Sequence, residues 1–187
     1  PEEPFFLYVH YMDPHDPYQA PSDPGGFVEP YAGKEFISKG HTWPLNKWLT
    51  TGEGEDPGVT SADIEHLKDL YDAEIRSADE ALQQVMDHFR RIGRYEDTLF
   101  VVLSDHGESF LENGALQHSY SLYQTELHVP VIFHWLARWS QGRRDSRVVC
   151  SVDVFPTILE LVGLATPPGL AGTAILDSEG EPLGQER

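Results

Sequence analysis

The stretch Val101–Ser119, VVLSDHGESFLENGALQHS, opens as an apolar, β-branched run and ends among groups that bind ions. Read with the residues before it, TLFVVLSD is the kind of continuous apolar segment a strand shows when both its faces are covered. It stops on Ser104-Asp105-His106-Gly107-Glu108. Asp105 offers a hard anionic oxygen and His106 a neutral imidazole nitrogen, in a tight turn that Gly107 permits. Neighbouring side chains diverge along a strand but can converge on one ion in a turn. Mixed oxygen and nitrogen ligation suits manganese, zinc or iron, and calcium where oxygens dominate. Spacing alone favours a plainer reading, in which Asp105 caps the segment after the strand. Position strengthens the metal reading, because ligands of open α/β sheets bind beyond the carboxyl ends of strands. Glu108 is expected to support the site or face solvent.

Working outward, Phe5–Tyr11 is a short apolar and aromatic run bounded by prolines and reads as a buried strand. The segment MDPHDPYQAPSDPGG then crowds in proline, aspartate and glycine and cannot be helical. Residues 20–58 are expected to stay irregular, a loop insertion lining a pocket. From Ser61 the period changes to three and four, with Ile64, Leu67, Leu70, Tyr71, Ile75, Ala78, Leu82, Val85, Met86 and Phe89 on one stripe. This predicts a helix over 61–91 with a core-facing stripe, capped by Thr60 or Ser61 with Glu65 in its first turns, and broken at Gly93. LHVPVIFHW predicts another strand with Pro130 at its start or on an edge, and RVVC a short one. SVDVFPTILELVGL predicts a helix with Ser151 as cap and Pro156 in its first turn. Residues 165–187 are rich in proline, glycine and acids and read as a linker or tail. The order of elements predicts an α/β fold, a mostly parallel sheet sandwiched by helices. Three or four strands is thin for such a sheet, and the chain opens without methionine, so a larger domain is expected around it.

The chain has 187 residues, enough for one domain with a sizeable core. Its 13 basic and 31 acidic residues give a net charge of −18, which makes nucleic acid and anionic membranes poor partners. No run is long and apolar enough for a membrane span. Cys150 is the single cysteine, so no disulfide forms within the chain, and it reads as a core thiol near a strand end. Among the histidines, His15 lies in a loop stiffened by Pro14 and Pro17, where it either bonds to backbone or presents an imidazolium to an anion. His118 either donates to an anionic oxygen or is simply exposed. His66 and His88 read as helix-surface groups.

Taken in order, PFFLYVHYMDPHDPY, YDAEIRSADEAL, DTLFVVLSDHGE, LYQTELHVPVIF and SVDVFPTILELVGL resemble the later half of the sulfatase family, within the alkaline phosphatase superfamily. The resemblance runs from about Pro4 to Gly172 and implies that residues 1–164 are the second half of a catalytic domain. It further implies that Asp105 and His106 bind the active-site divalent cation, calcium first, with manganese or another transition ion as alternatives. By the same resemblance, His15 and His118 contact the sulfate or the leaving-group oxygen, and a sulfated small molecule or carbohydrate is the substrate. Many relatives carry a lysine close to His118, where this chain has Ser119, Tyr120 and Ser121. The family's formylglycine nucleophile arises from a C/S-x-P/A-x-R motif, which Cys150 does not match, so that nucleophile is expected outside this chain. A periplasmic or secreted location follows by family only. The alternatives are a phosphodiester or phosphonate monoester hydrolase of the same superfamily, and a non-catalytic module on the same fold.

Overall fold

A computed structural model describes residues 3–19 and 25–184. Two compact units divide the chain: Pro1–His88 with Gly107–His128, and Phe89–His106 with Val129–Arg187. The expected loop 20–58 lies partly outside the described residues, and its remainder carries two helices, α1 (Glu35–Ser38) and α2 (Trp43–Thr51). Sequence signals for α2 were present: Pro44 stands at its start and Gly52, at φ +66°, ends it.

The long helix α3 covers Ser61–Arg91, as the periodicity predicts. Thr60 caps it, but the reciprocal partner is Asp63 rather than Glu65. The Asp63 carboxylate accepts the Thr60 N–H at 2.7 Å and the Thr60 hydroxyl at 2.9 Å. At the far end Gly93 takes φ +67°, and the Arg94 N–H reaches back to the Phe89 carbonyl at 2.9 Å, a Schellman-type stop.

In the first unit the core gathers Tyr18, Ile37, Leu45, Ile64, Leu67, Phe110 and Leu116. A two-stranded antiparallel hairpin, β2 (Ser109–Phe110) and β3 (Leu116–Gln117), contributes the last two. The predicted stripe on α3 drifts with length. Ile64 and Leu67 are buried, whereas Ile75 is exposed and its neighbour Glu74 is buried instead. His66, expected on the helix surface, is also buried, its ring stacked 4.0 Å from that of Tyr31.

The second unit pairs β1 (Phe100–Leu103) with β4 (Val131–His134), and the pairing is antiparallel, Phe100 opposite His134 and Leu103 opposite Val131. A mostly parallel sheet is therefore not what the described residues form. Between β1 and β4 the chain makes a hairpin and the short helix α4 (Gln124–Leu127), then returns beside β1 in the opposite sense. Pro130 sits just ahead of β4, where its missing N–H costs no ladder bond. Leu103 and Ile132 stay exposed, so β1 is not covered on both faces among the described residues. Neither Phe5–Tyr11 nor Arg147–Cys150 forms a strand, because neither has a ladder partner there.

After a 3-10 turn at Ser151–Asp153, helix α5 runs Val154–Leu161 with Pro156 in its first turn. The residue expected to cap it, Ser151, lies inside the 3-10 turn, whose own cap is Cys150, and α5 is preceded by Asp153; the Asp153 carboxylate accepts the Cys150 N–H at 2.9 Å. Cys150 is exposed, not a core thiol. Within the stretch read as a tail, the Thr173 N–H donates to Asp153 at 3.0 Å and the Ile175 N–H to the Thr157 hydroxyl at 3.0 Å.

Candidate active site

His15 is held by the residues on either side of it. Both Asp13–Pro14 and Asp16–Pro17 are cis, and the His15 Nδ1 lies 2.7 Å from the Asp16 carbonyl oxygen, so Nδ1–H donates there. The Asp16 carboxylate in turn accepts the N–H and hydroxyl of the fully buried Thr42, at 2.7 and 2.6 Å. One residue further, the Tyr18 N–H donates to the Gly40 carbonyl at 3.0 Å. Gly40 has φ +69°, and a Cβ there would stand 2.0 Å from the Tyr18 carbonyl oxygen, so only glycine fits.

His118 follows β3, between two residues in the left-handed region, Gln117 at φ +67° and Ser119 at φ +73°. Each costs about 1–2 kcal/mol for a residue with a Cβ, so the surroundings must hold them. The Gln117 side chain accepts a hydrogen bond from the buried Asn46 on α2. The Ser119 N–H donates to Glu126 at 2.9 Å. Burial opposes ionisation of Glu126, but bonds from Ser121, Ser119 and Ser109 outweigh it and hold the carboxyl below its usual range.

Glu108 joins the two histidine-bearing segments. One oxygen lies 3.2 Å from His118 Nδ1 and the other accepts the Tyr18 hydroxyl at 2.9 Å. Its side chain is only 5% exposed, so it is an internal bridge and not a surface group. Burial, and then the charge of Glu108, push the Tyr18 phenol far above its ordinary value, so it stays a neutral donor. The His15 and His118 rings come to 6.0 Å between centroids, inclined at 62°. Both are in the first unit.

Asp105 and His106 belong to the second unit, at the end of β1. Asp105 Oδ1 accepts the His106 N–H at 3.0 Å and lies 3.8 Å from His106 Nε2. The side chains are 80% and 40% exposed, respectively. One carboxylate and one imidazole within reach of a common ion fit part of a divalent coordination sphere, which needs four or more donors. Among the described residues no group of three or more such donors converges. Gly107, credited above to a turn, has a different reason. A Cβ there would lie 2.1 Å from the Thr125 carbonyl oxygen, and its N–H donates to the Glu126 carbonyl at 2.8 Å.

Solved structures place this arrangement among α/β folds of the alkaline phosphatase type. The phosphonate monoester hydrolase of Agrobacterium radiobacter matches with a TM-score of 0.62 at 25% identity, over 72% of this chain and 27% of that one. BT4656, solved in complex with its substrate D-glucosamine-2-N,6-O-disulfate, matches with a TM-score of 0.61 at 21% identity, over 79% and 30%. The Sulfatase family model matches residues 1–164, and the chain belongs to that family. It is 26% identical to arylsulfatase K of Bos taurus, over 99% of this chain and 37% of the relative. It is 25% identical to the multifunctional alkaline phosphatase superfamily protein PehA of Trinickia caryophylli, over 96% and 38%. The chain thus spans a little over a third of these two relatives' length.

Proposed function

We propose that the protein carrying this chain hydrolyses sulfate esters, with His15 and His118 contacting the sulfate and Asp105 and His106 supplying ligands to a divalent cation. The observation that supports it best is the pairing of two imidazoles at 6.0 Å, one of them backed by a buried carboxylate. Glu108 accepts from Nδ1 of His118, so in this reading Nε2 is the nitrogen that would meet an anionic oxygen or give a proton to the departing alkoxide. His15 is fixed likewise through the Asp16 carbonyl, leaving its own Nε2 for a second oxygen. When bound, a cation such as calcium or manganese would stabilise charge on the nucleophile and the sulfate oxygens. A formylglycine nucleophile belongs to this reading and lies outside these residues. The net charge of −18 repels a sulfate at long range, but salt screens such repulsion beyond about 8 Å, so the local field of the bound cation and the histidine donors would govern binding.

Sulfated carbohydrate is the substrate class this reading favours, in line with the sugar ligand of BT4656. A second reading, phosphodiester or phosphonate monoester hydrolysis, is favoured by the likeness to PehA and to the Agrobacterium hydrolase. The full-length protein assayed on an aryl sulfate, an aryl phosphodiester and an aryl phosphonate separates the two. Faster turnover of the sulfate supports the first reading and faster turnover of either phosphorus ester the second. Asp105→Ala and His118→Ala should each reduce the rate at least ~100-fold. Undiminished activity in either variant removes that residue from the site.

A further inference from the structure

Beneath the His15 loop, α3 carries a carboxylate that the reaction above does not use. Glu74 is 1% exposed, and its Oε1 accepts the Gln19 N–H at 2.5 Å, across 55 positions of sequence. Its Oε2 is equally buried and has no hydrogen-bond partner among the described residues. A buried polar oxygen without a partner costs about 1–3 kcal/mol, which calls for a reason. Asp13 and His15 from the loop, and Tyr71 from its own helix, face it.

We propose that Glu74 is a positioning residue for His15: as a carboxylate it draws the Gln19 N–H, at the end of the His15 loop, onto α3, and taking up a proton at the orphan oxygen loosens that hold. Burial, and the negative charge of Asp13, raise the Glu74 carboxyl, while the N–H groups of Gln19 and His15 and the His15 imidazole favour the ionised form. The balance leaves it pushed up to about 7, so the two states exchange near neutral pH. A hydrogen bond to a charged acceptor contributes about 1 kcal/mol more than one to a neutral acceptor, so the loop amides feel the change. The residue links the charge state of the helix to the placement of a substrate-contacting histidine.

The inference rests on His15 being a sulfate contact, but its test does not. The full-length protein, labelled with 15N at glutamine and histidine, is titrated by NMR without metal or substrate. The Gln19 amide shift should move with a midpoint near 7, and in Glu74→Gln it should stay flat over that range. At pH 8 the Gln19 amide of Glu74→Gln should exchange with solvent at least ~5-fold faster than in the parent. Asp13→Asn, which leaves Glu74 in place, should lower the midpoint and keep the transition. A flat parent titration, a Glu74→Gln protein that titrates like the parent, or an unmoved midpoint in Asp13→Asn each overturns the proposal. Lost sulfate hydrolysis with this titration intact would count against the hydrolase reading alone.

Discussion

Glu108 serves two donors at once, and each can be removed separately. Tyr18→Phe leaves one Glu108 oxygen buried without its 2.9 Å donor, which should destabilise the protein by about 1–3 kcal/mol in a chemical-denaturation curve. Glu108→Gln keeps an acceptor for Tyr18 but withdraws the charge that faces His118 at 3.2 Å. Activity of the full-length protein should fall by roughly 10-fold with a far smaller change in stability, since a charged hydrogen bond exceeds a neutral one by about a kcal/mol. Gly107→Ala tests close approach rather than chemistry. The obstructing atom is the Thr125 carbonyl oxygen, which cannot swing away as a side chain would, so a loss of about 1–3 kcal/mol is expected from thermal unfolding. Read from the residues alone, Asp105 and His106 stood at the end of an apolar run and His15 beside prolines, each with a plainer reading open, and only the resemblance to sulfatases assigned these three and His118 to a site. Neither pointed to Glu108 or Glu74 as buried groups. Acidic residues are ordinarily exposed, and only a partner distant in sequence, Tyr18 or Gln19, makes their burial tolerable.

At the scale of elements, α3 is the most legible part of the chain, since 31 residues of helical period leave little ambiguity. Its N-terminus is set by Asp63, which is buried and accepts Thr60 and the Tyr31 hydroxyl. Burial opposes its ionisation, yet the bonds from Tyr31 and Thr60 outweigh it and hold the carboxyl below its ordinary 3.8. The folded value is the depressed one, so the contribution is complete above 3.8 and disappears as pH falls through the folded value. Asp63→Asn should therefore flatten the acid limb of stability against pH, and Asp63→Ala should cost about 1–2 kcal/mol at neutral pH. Strands were less legible. VVL and VIF were recognisable as apolar runs, but composition carries no information on whether two runs pair parallel or antiparallel. Phe5–Tyr11 has the composition of a strand and lacks a ladder, because strand formation needs a second segment that composition cannot supply.

At the scale of the molecule, that same segment is an exposed apolar run. Phe6 is 79% exposed, and Phe5, Leu7, Tyr8 and Val9 lie open beside it. An open apolar run of this size is a site of association. The 187-residue chain taken alone should therefore self-associate in light scattering, more so as salt screens its net charge of −18. Phe6→Lys with Tyr8→Lys should shift it toward monomer. A parent chain that is monomeric at high salt would show the run to be covered. Among the described residues no helix is long and apolar enough to cross a membrane. The two bonds that clamp the His15 loop, Asp16 to Thr42 and Tyr18 to Gly40, also have a historical consequence. They knot the chain at the base of the segment between them, and closing a loop grows costlier by only about 0.6 kcal/mol per doubling of its length. Insertions and deletions between Gln19 and Gly40 can accumulate without displacing the histidine ahead of the knot, so lineages can rewrite that segment while the histidine stays put.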